Sequence, residues 1–296
     1  MEKQRIHKRI ERLAAAEGIT ETGLEGVRLF RVTQPVERIP AVYSPSICAI
    51  VQGTKRAYFN GTLHEYNSDH ILCCTMPMPI EAEVPHATPE APVLGMLLSL
   101  DTQIMSETAI ELLSVRGAVH NAKGGEATPG LAVAKWDDQF TGAISRLLDL
   151  VGDATALSVL GKGRLREVYY ALLMGETGPM IRRAFGAADE MARTLHFLQE
   201  NLHTSITIED LADHANMSRA VFHRRFKQAT TLSPIQFVKS LRLNEASMHI
   251  AAGMTISEAA SKVGYTSSSQ FSREFRRAFG KAPREWGNTV EVHEAA

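Results

Sequence analysis

Two segments of the chain, residues 207–237 and 255–286, repeat the same spacing of apolar and polar positions. The matching positions are Ile208 and Ile256, Ala212 and Ala260, Phe222 and Phe271, Phe226 and Phe275, Pro234 and Pro283, and Phe237 and Trp286. In each segment the apolar residues recur every three to four positions, which is the spacing of one face of an α-helix. The repetition indicates a duplicated helical unit.

A tight turn divides each unit into two helices. The first helices are predicted at 209–215 and 257–263. They are followed by Asn216 and Gly264, the residue types that most readily enter the left-handed conformation that closes a helix. Side-chain oxygens of Ser218, or of Thr266 and Ser267, can then accept from the free amides of the next helix. Each unit is thus predicted to be helix, turn, helix.

The second helix of each unit has an apolar side and a polar side. The predicted core stripes are Phe222, Phe226 and Ala229, and Phe271, Phe275 and Ala278. The polar sides supply the residues that we predict to contact DNA: Arg219, Ala220, His223, Arg224, Lys227, Ser268, Ser269, Ser272, Arg273 and Arg276. For one unit alone, a merely solvated basic face is an equal alternative. A solenoid needs three or more repeats, so two copies favour a protein that binds two adjacent major grooves of DNA.

Residues 187–288 resemble the DNA-binding domain of the AraC/XylS family of bacterial transcription regulators. The resemblance covers both units, the connecting helix 234–250, Gly264-Tyr265, and Phe279-Gly280 followed by Pro283. It implies double-stranded DNA as a partner, bound in the major groove at adjacent half-sites, with RNA polymerase as a further candidate partner. Because members of this family are commonly activators, the resemblance favours an activator over a repressor. The chain departs from the family in having Trp286 in place of the usual Tyr, with no Arg after it.

Between about Ala41 and Leu100 the pattern changes to short strands. Strands are predicted at 47–52, 56–59, 62–66, 71–76, 80–84 and 93–100, with Asn60-Gly61 as a hairpin turn. Many short strands at close spacing imply a small barrel or sandwich. Residues 43–55 resemble the opening of the cupin-like N-terminal domain of one AraC-type subfamily. The resemblance implies a sensory domain, whose effector and effector-binding residues are unknown.

Helical spacing flanks these strands at 2–17, 101–115, 137–152 and 164–174. The basic side of 2–17 is compatible with a membrane or nucleic acid, but its apolar side lacks a bulky aromatic anchor, which favours packing on the next domain. The other helices either cap the barrel or form a dimer interface, and the family resemblance favours a homodimer.

Gly and Pro within 175–179 and at Gly186 predict a linker. The expected domains are therefore 1–185, for effector sensing and dimerisation, and 186–296, for DNA binding. The expected fold class is multidomain α+β, with an N-terminal cupin-like β-barrel with appended helices and a C-terminal all-α domain with two helix-turn-helix units.

The charge follows the same division. The chain has a net charge of −1, but residues 187–288 carry 13 Lys and Arg against 10 Asp and Glu, so this part is +3 and the remainder −4. No apolar run reaches the roughly 18 residues of a membrane span, and the charged start lacks the apolar stretch of a signal peptide. We therefore expect a cytoplasmic protein without a membrane partner.

An alternative is a cupin-type metalloenzyme domain fused to a DNA-binding module. Cupin enzymes usually bind a metal with a His-x-His pair plus a Glu and another His, and the chain contains no His-x-His. The scattered candidates are His64, His70, His86, Glu65, Glu81 and Glu83. Such residues on strands are more often surface groups, so we predict no metal, no cofactor, no catalytic residue and no enzyme activity.

Cys73 and Cys74 lie inside a predicted apolar strand, where alternation sends one thiol inward and the other outward. A redox sensor needs a thiol with a lowered pKa, and no Lys or Arg lies close in sequence. Buried, unreactive thiols are therefore the preferred interpretation.

Overall fold

The computed structural model describes residues 2–116, 130–185, 190–204 and 206–286. After an N-terminal helix, α1 (Glu2–Leu13), the chain enters a domain rich in strands. These strands are β1 (Gly18–Glu21), β2 (Val27–Val32), β3 (Val36–Tyr43), β4 (Ser46–Gln52), β5 (Thr54–Phe59), β6 (Thr62–Asn67), β7 (His70–Cys74), β8 (Met78–Val84), β9 (Val93–Ser99) and β10 (Leu131–Lys135).

The strands form two antiparallel sheets that pack face to face. The six-stranded sheet has the order β1-β2-β9-β4-β7-β10, and the four-stranded sheet has the order β3-β8-β5-β6. Phe30 and Cys48 from the first sheet and Tyr66 and Ile80 from the second share one buried core. The predicted fold class, a β-rich N-terminal domain with appended helices and an all-α C-terminal domain, is confirmed. Among the described residues the cupin-like barrel is not closed, because the edge strands of one sheet are not hydrogen-bonded to those of the other.

The predicted hairpin joins β5 to β6. Phe59 pairs with Thr62, and Asn60 and Gly61 have φ angles of 48° and 78°, as a tight turn with two left-handed residues requires. All six predicted strands are present, with ends that shift by two residues at most. The sequence analysis missed β1, β2, β3 and β10: β3 contains Pro40, and β1, β2 and β10 lie outside the segment 41–100 in which strands were predicted.

The side chains of Cys73 and Cys74 on β7 lie on opposite faces of the sheet, and both are buried. Cys74 lies in the core between the sheets, whereas Cys73 lies in the core on the other face, beneath helices. The expectation of an outward thiol is therefore wrong, because that face is covered. Burial raises the pKa of Cys74 to about 12 and raises the pKa of Cys73 well above its usual value. Both shifts favour the unreactive thiol.

The helices that cover the six-stranded sheet are α1 and α2 (Thr102–Arg116), α3 (Asp138–Leu148), α4 (Ala154–Met174) and α5 (Gly178–Phe185). Ile6 and Ile10 of α1 are buried in this core. Arg5 and Arg9 form ion pairs with Asp149 at 2.8 and 3.2 Å. The predicted packing of the N-terminal helix on the next domain is thus confirmed.

Helix α5 occupies part of the predicted linker. Met180, Ile181 and Phe185 are buried in the same core as α3 and α4, and Pro179 lies in the first turn, where proline is tolerated. The linker prediction is therefore wrong for residues 178–185. Gly186, where the second domain was predicted to begin, lies outside the described residues.

The C-terminal helices are α6 (Glu190–Glu200), α7 (Ile208–His214), α8 (Arg219–Thr230), α9 (Pro234–Ala251), α10 (Ile256–Lys262), α11 (Ser268–Phe279) and α12 (Pro283–Trp286). Helix α9 is the predicted connecting helix, and it packs on β3 and β8 of the four-stranded sheet. In the described parts of the chain, no helix has the length and apolar character needed to cross a bilayer.

Candidate nucleic-acid interface

The first helix-turn-helix unit consists of α7, a turn and α8. Thr207 and Asp210 form a reciprocal capping box at the start of α7. Asn216 has a φ of 50°, and the amide of Met217 donates to the Ala212 carbonyl at 2.9 Å, so the predicted left-handed turn is confirmed. Ser218 stands at the N-cap of α8 but makes no side-chain cap bond. That predicted side-chain bond is therefore wrong, and the first turn of α8 is closed by the backbone bond from the Phe222 amide to the Ser218 carbonyl, at 2.8 Å.

The second unit repeats this geometry in α10 and α11. Gly264 has a φ of 84°, and the amide of Tyr265 donates to the Ala260 carbonyl at 2.9 Å, which matches the bond in the first unit. Here the predicted cap is present, since the Ser267 hydroxyl accepts from the Gln270 amide at 3.3 Å. The duplication seen in the sequence is therefore a duplication of backbone geometry.

Aromatic rings fix the buried sides of α8 and α11. Phe222 and Phe226 have ring centroids 5.4 Å apart, and Phe271 and Phe275 repeat this distance. Ala278 is exposed, so its assignment to the core stripe is wrong. The rings of Phe279 and Trp286 pack on Phe275 instead, with centroid distances of 4.6 and 5.7 Å. Trp286 thus supplies the packing expected of the aromatic residue at this position.

The opposite sides of α8 and α11 are open to solvent. Eight of the ten predicted DNA-contact residues are exposed: Arg219, Ala220, Arg224, Lys227, Ser268, Ser269, Arg273 and Arg276. His223 and Ser272 are half-buried. The structure therefore places all ten on two accessible helix faces, one in each unit, and their contact with DNA stays a prediction.

The positive charges on these faces differ in their surroundings. Arg219 pairs with Glu209 of α7 at 2.6 Å, and both side chains are mostly exposed, so this pair is weak. Among the described residues, no ion pair involves Arg224, Lys227, Arg273 or Arg276. These four cations are available to phosphates and base edges.

A polar cluster missed by the sequence analysis links the connecting helix to the second unit. The Glu274 carboxylate accepts from the Tyr265 hydroxyl at 2.8 Å and pairs with Lys239 of α9 at 3.1 Å. Burial acts to raise the pKa of Glu274, but hydrogen bonds from Tyr265, Lys239 and Gln270 outweigh it and lower the pKa. The ionised carboxylate therefore helps to fix α11 relative to α9.

The connecting helix is also bonded to the N-terminal domain. The buried side-chain amide of Asn244 donates to the carbonyl oxygens of Ala41 on β3 and Ile80 on β8, at 2.9 and 2.8 Å. At the end of α8, the Ala229 carbonyl accepts from the Gly130 amide at 3.2 Å. Nothing in the local sequence distinguishes Asn244 from other polar residues on a helix, so only the structure reveals this contact.

A cavity of about 520 Å³ lies beside this contact. Its lining comes from β2, β3, β4, β5 and β9 on one side and from α9 on the other. Lys55 of β5 lines it and is only 2% exposed. Its ammonium lies 5.0 Å from the centroid of the Phe30 ring, a cation–π distance.

The three glutamates considered as metal ligands are engaged in other contacts. Glu81 pairs with Arg38, Glu65 pairs with Arg56 at 2.8 Å, and Glu83 accepts from Tyr58 at 2.5 Å. Across the described ranges, no three His, Cys, Asp or Glu residues are grouped closely enough to hold a metal ion. The structure therefore does not bring the scattered candidates together.

A two-sheet domain joined to two helix-turn-helix units on one connecting helix defines the class of this protein, that of DNA-binding regulators with an added N-terminal domain. Residues 23–180 match the family model of the AraC-type transcriptional regulator N-terminus, and residues 211–289 match a helix-turn-helix domain. The chain belongs to the AraC-type transcriptional regulators.

Similar proteins agree with this membership. The raffinose operon regulatory protein RafR of Pediococcus pentosaceus is 27% identical over 43% of this chain and 46% of its own length. The transcriptional activator RhaS of Pectobacterium carotovorum is 33% identical over 30% of this chain and 33% of its own length. The chain thus spans less than half the length of these relatives.

A similarity in structure extends over nearly the whole chain. A structure of ToxT from Vibrio cholerae covers 93% of this chain and 100% of its own, with a TM-score of 0.54 and 12% identity. At that identity the likeness concerns the fold alone.

Proposed function

We propose that this protein is a sequence-specific transcription regulator, and an activator, that reads two adjacent half-sites in the major groove of bacterial DNA. The observation that carries the proposal is the matched pair of recognition helices, α8 and α11, each with an exposed cationic face. The name of RhaS as an activator supports the direction of regulation. An activator acts through RNA polymerase, which we include as a partner, and it works where the chromosome is, in the cytoplasm.

The test is genome-wide mapping of the DNA bound by the full-length protein. We expect enriched sites with two sequence elements about one helical turn, or roughly 10 base pairs, apart. A variant with Arg224→Ala and Arg273→Ala together serves as the control and is expected to lose this enrichment. Absence of enriched sites in the parent protein contradicts the proposal.

A shorter test addresses the pairing of the two units. Inserting about five base pairs between the half-sites turns one of them to the opposite side of the duplex. Because α9 connects the two units, binding by one protein molecule should be lost. A site that tolerates the insertion indicates that only one unit reads DNA.

The N-terminal domain is proposed to sense a chemical signal and to form a homodimer, without enzyme activity. Large apolar side chains are exposed on two helices of this domain, Ile110 on α2 and Val159, Leu160 and Tyr170 on α4, at 51%, 74%, 47% and 39%. Val159 and Tyr170 are eleven residues apart, about three helical turns, and so lie on the same side of α4. A second copy of the chain is the proposed partner of this face.

A further inference from the structure

The turn of the second helix-turn-helix unit touches the first unit at Gly264. A Cβ on Gly264 would lie 2.6 Å from the carbonyl oxygen of Leu202, so the two backbones approach to a distance that a side chain would not allow. Leu202 is buried in the core that also contains Phe222 and Phe226 of the first unit. The two units are therefore in direct contact, in addition to their connection through α9.

The guanidinium of Arg242, on α9, lies in this contact. It donates to the Thr204 carbonyl, in the segment between α6 and α7, at 2.8 Å. A Cβ on Gly264 would lie 3.1 Å from Nη2 and 3.2 Å from Cζ of Arg242, so the guanidinium also packs against the turn of the second unit. There it interacts electrostatically with Tyr265. One side chain of the connecting helix thus contacts both units at once.

This position is costly for a charged group. The side chain of Arg242 is half-buried, its Nε has no hydrogen-bond partner among the described residues, and no carboxylate in those residues forms an ion pair with it. Burial lowers the pKa of Arg242, although an arginine side chain stays charged in proteins. Such a group can specify one arrangement among several even where it adds little to stability.

The neighbouring ion pair on α9 has a narrower role. Lys239 lies three residues before Arg242 and so on the same side of the helix. It pairs with Glu274 at 3.1 Å and thereby ties α9 to α11. That pair joins the connecting helix to the second unit, whereas Arg242 also bonds to the first. Arg242 therefore adds a link between the units that Lys239 and Glu274 do not provide.

We propose that Arg242 is a positioning residue that sets the distance and rotation between the two recognition helices, and thereby the half-site spacing that the protein accepts. The inference rests on the proposed function, the reading of two adjacent half-sites, and requires no contact between Arg242 and DNA. One added base pair moves a half-site by about 3.4 Å and turns it by roughly 35°. A small displacement of the second unit is therefore enough to change which spacing fits.

The experiment selects binding sites from a pool of random duplex DNA, with the full-length protein and with its Arg242→Ala variant. The parent protein should enrich two sequence elements at one spacing, and Arg242→Ala should enrich the same two elements at several spacings. In titrations, one base pair added between the elements should weaken binding by the parent about tenfold and binding by the variant about threefold or less.

Two further variants separate positioning from stability. Arg242→Lys keeps the charge and a donor but not the planar fork, so its spacing preference should lie between those of the parent and Arg242→Ala. It also tests the proposal if Arg242→Ala does not fold. Ile250→Val removes one methyl group from the buried core of the second unit. It should lower the midpoint of urea denaturation and keep the spacing preference of the parent.

A single fixed spacing in both Arg242 variants overturns the proposal. Equal losses by Arg242→Ala on DNA with one element and on DNA with both also overturn it, because Arg242 would then support the fold of a unit and not its placement. Enrichment of one element or none by the parent contradicts the reading of two half-sites itself. The parent protein alone decides that outcome, so the two failures are distinguished.

Discussion

At the scale of single residues, the two recognition helices carry a matched pair of arginines. Arg224 and Arg273 are both exposed, each lies one turn past the start of its helix, and neither belongs to an ion pair among the described residues. The planar guanidinium suits guanine, whose O6 and N7 accept two parallel hydrogen bonds. Lys227 and Arg276 lie one turn further on and are the better candidates for phosphate contacts.

Alanine at Arg224 or at Arg273 is expected to cost about 1–3 kcal/mol of binding free energy on the operator and little on random DNA. Fluorescence anisotropy on both DNAs measures the difference. Arg12→Ala, an exposed arginine on α1, is the control and should change neither. Equal losses on operator and random DNA would assign these arginines to the phosphate backbone.

Gly264 is required by the turn of the second unit. Its φ of 84° costs any other residue except Asn about 1–2 kcal/mol, and a Cβ would lie 2.6 Å from the carbonyl oxygen of Leu202. Gly264→Ala should therefore lower the free energy of unfolding by more than this conformational cost, as measured by urea denaturation. Asn216→Gly, at the same place in the first unit, keeps the left-handed conformation available and should have a much smaller effect. A small effect of Gly264→Ala would show that the turn can rearrange.

At the scale of elements, the helix pairs are positioned by contacts that lie away from the exposed faces of α8 and α11. The first unit packs with the N-terminal sheets, since Phe222, Phe226 and Phe237 share their core. The second unit has a core of its own around Phe271 and Phe275. The cluster of Lys239, Tyr265 and Glu274 then fixes α11 to the connecting helix.

The Glu274 cluster predicts an acid-sensitive second unit. The pKa of Glu274 is lowered in the folded state, so its contribution to stability is present above its ordinary pKa near 4.5 and is lost as the pH falls through the lowered value. Glu274→Gln should reduce stability at neutral pH and flatten this part of the acid dependence. Denaturation at several pH values, with Gln228→Ala at an exposed position on α8 as the control, measures it. Parallel curves for Glu274→Gln and the parent would exclude the ionised carboxylate as the cause.

At the scale of the whole molecule, the buried side-chain amide of Asn244 joins the DNA-binding domain to the N-terminal domain. Asn244→Ala leaves the carbonyls of Ala41 and Ile80 without this donor, and an unsatisfied buried polar group costs about 1–3 kcal/mol. We expect faster hydrogen exchange in β3 and in the middle of α9. Asn201→Ala, which removes a bond only within its own helix end, should leave exchange in β3 unchanged. Unaltered exchange in Asn244→Ala would show that the domains are held without the amide.

Dimerisation belongs to the same scale. Val159→Lys together with Tyr170→Lys should convert a dimer to a monomer in light scattering, because the charges oppose burial of that side of α4. Leu63→Lys, at another exposed apolar residue, on β6, is the control and should stay dimeric. The fragment from residue 187 onward should be monomeric and should not respond to any effector. It should bind the operator more weakly than the full chain, because dimerisation raises the effective concentration of the second DNA-binding domain at the operator. A monomeric full-length protein contradicts this proposal.

The sequence by itself determined the local features of this protein. Helical periodicity, the Asn216 and Gly264 turns and the Asn60-Gly61 hairpin depend on residues close in the chain, whose backbone preferences and side-chain spacing act without distant partners. For the same reason the exposed faces of α8 and α11 could be predicted as candidate DNA contacts.

The tertiary structure decided what depends on distant partners. Whether the strands close into a barrel or form two sheets is set by pairing between edges far apart in sequence, and β-strand period alone does not specify it. A helix replaces the predicted linker at residues 178–185, because Met180, Ile181 and Phe185 can pack in a shared core with α3 and α4. In the sequence, Lys55 and Asn244 are not distinguished from other polar residues. The packing of the sheets against α9 buries Lys55 beside a cavity and allows the Asn244 side-chain amide to hydrogen-bond to the N-terminal domain.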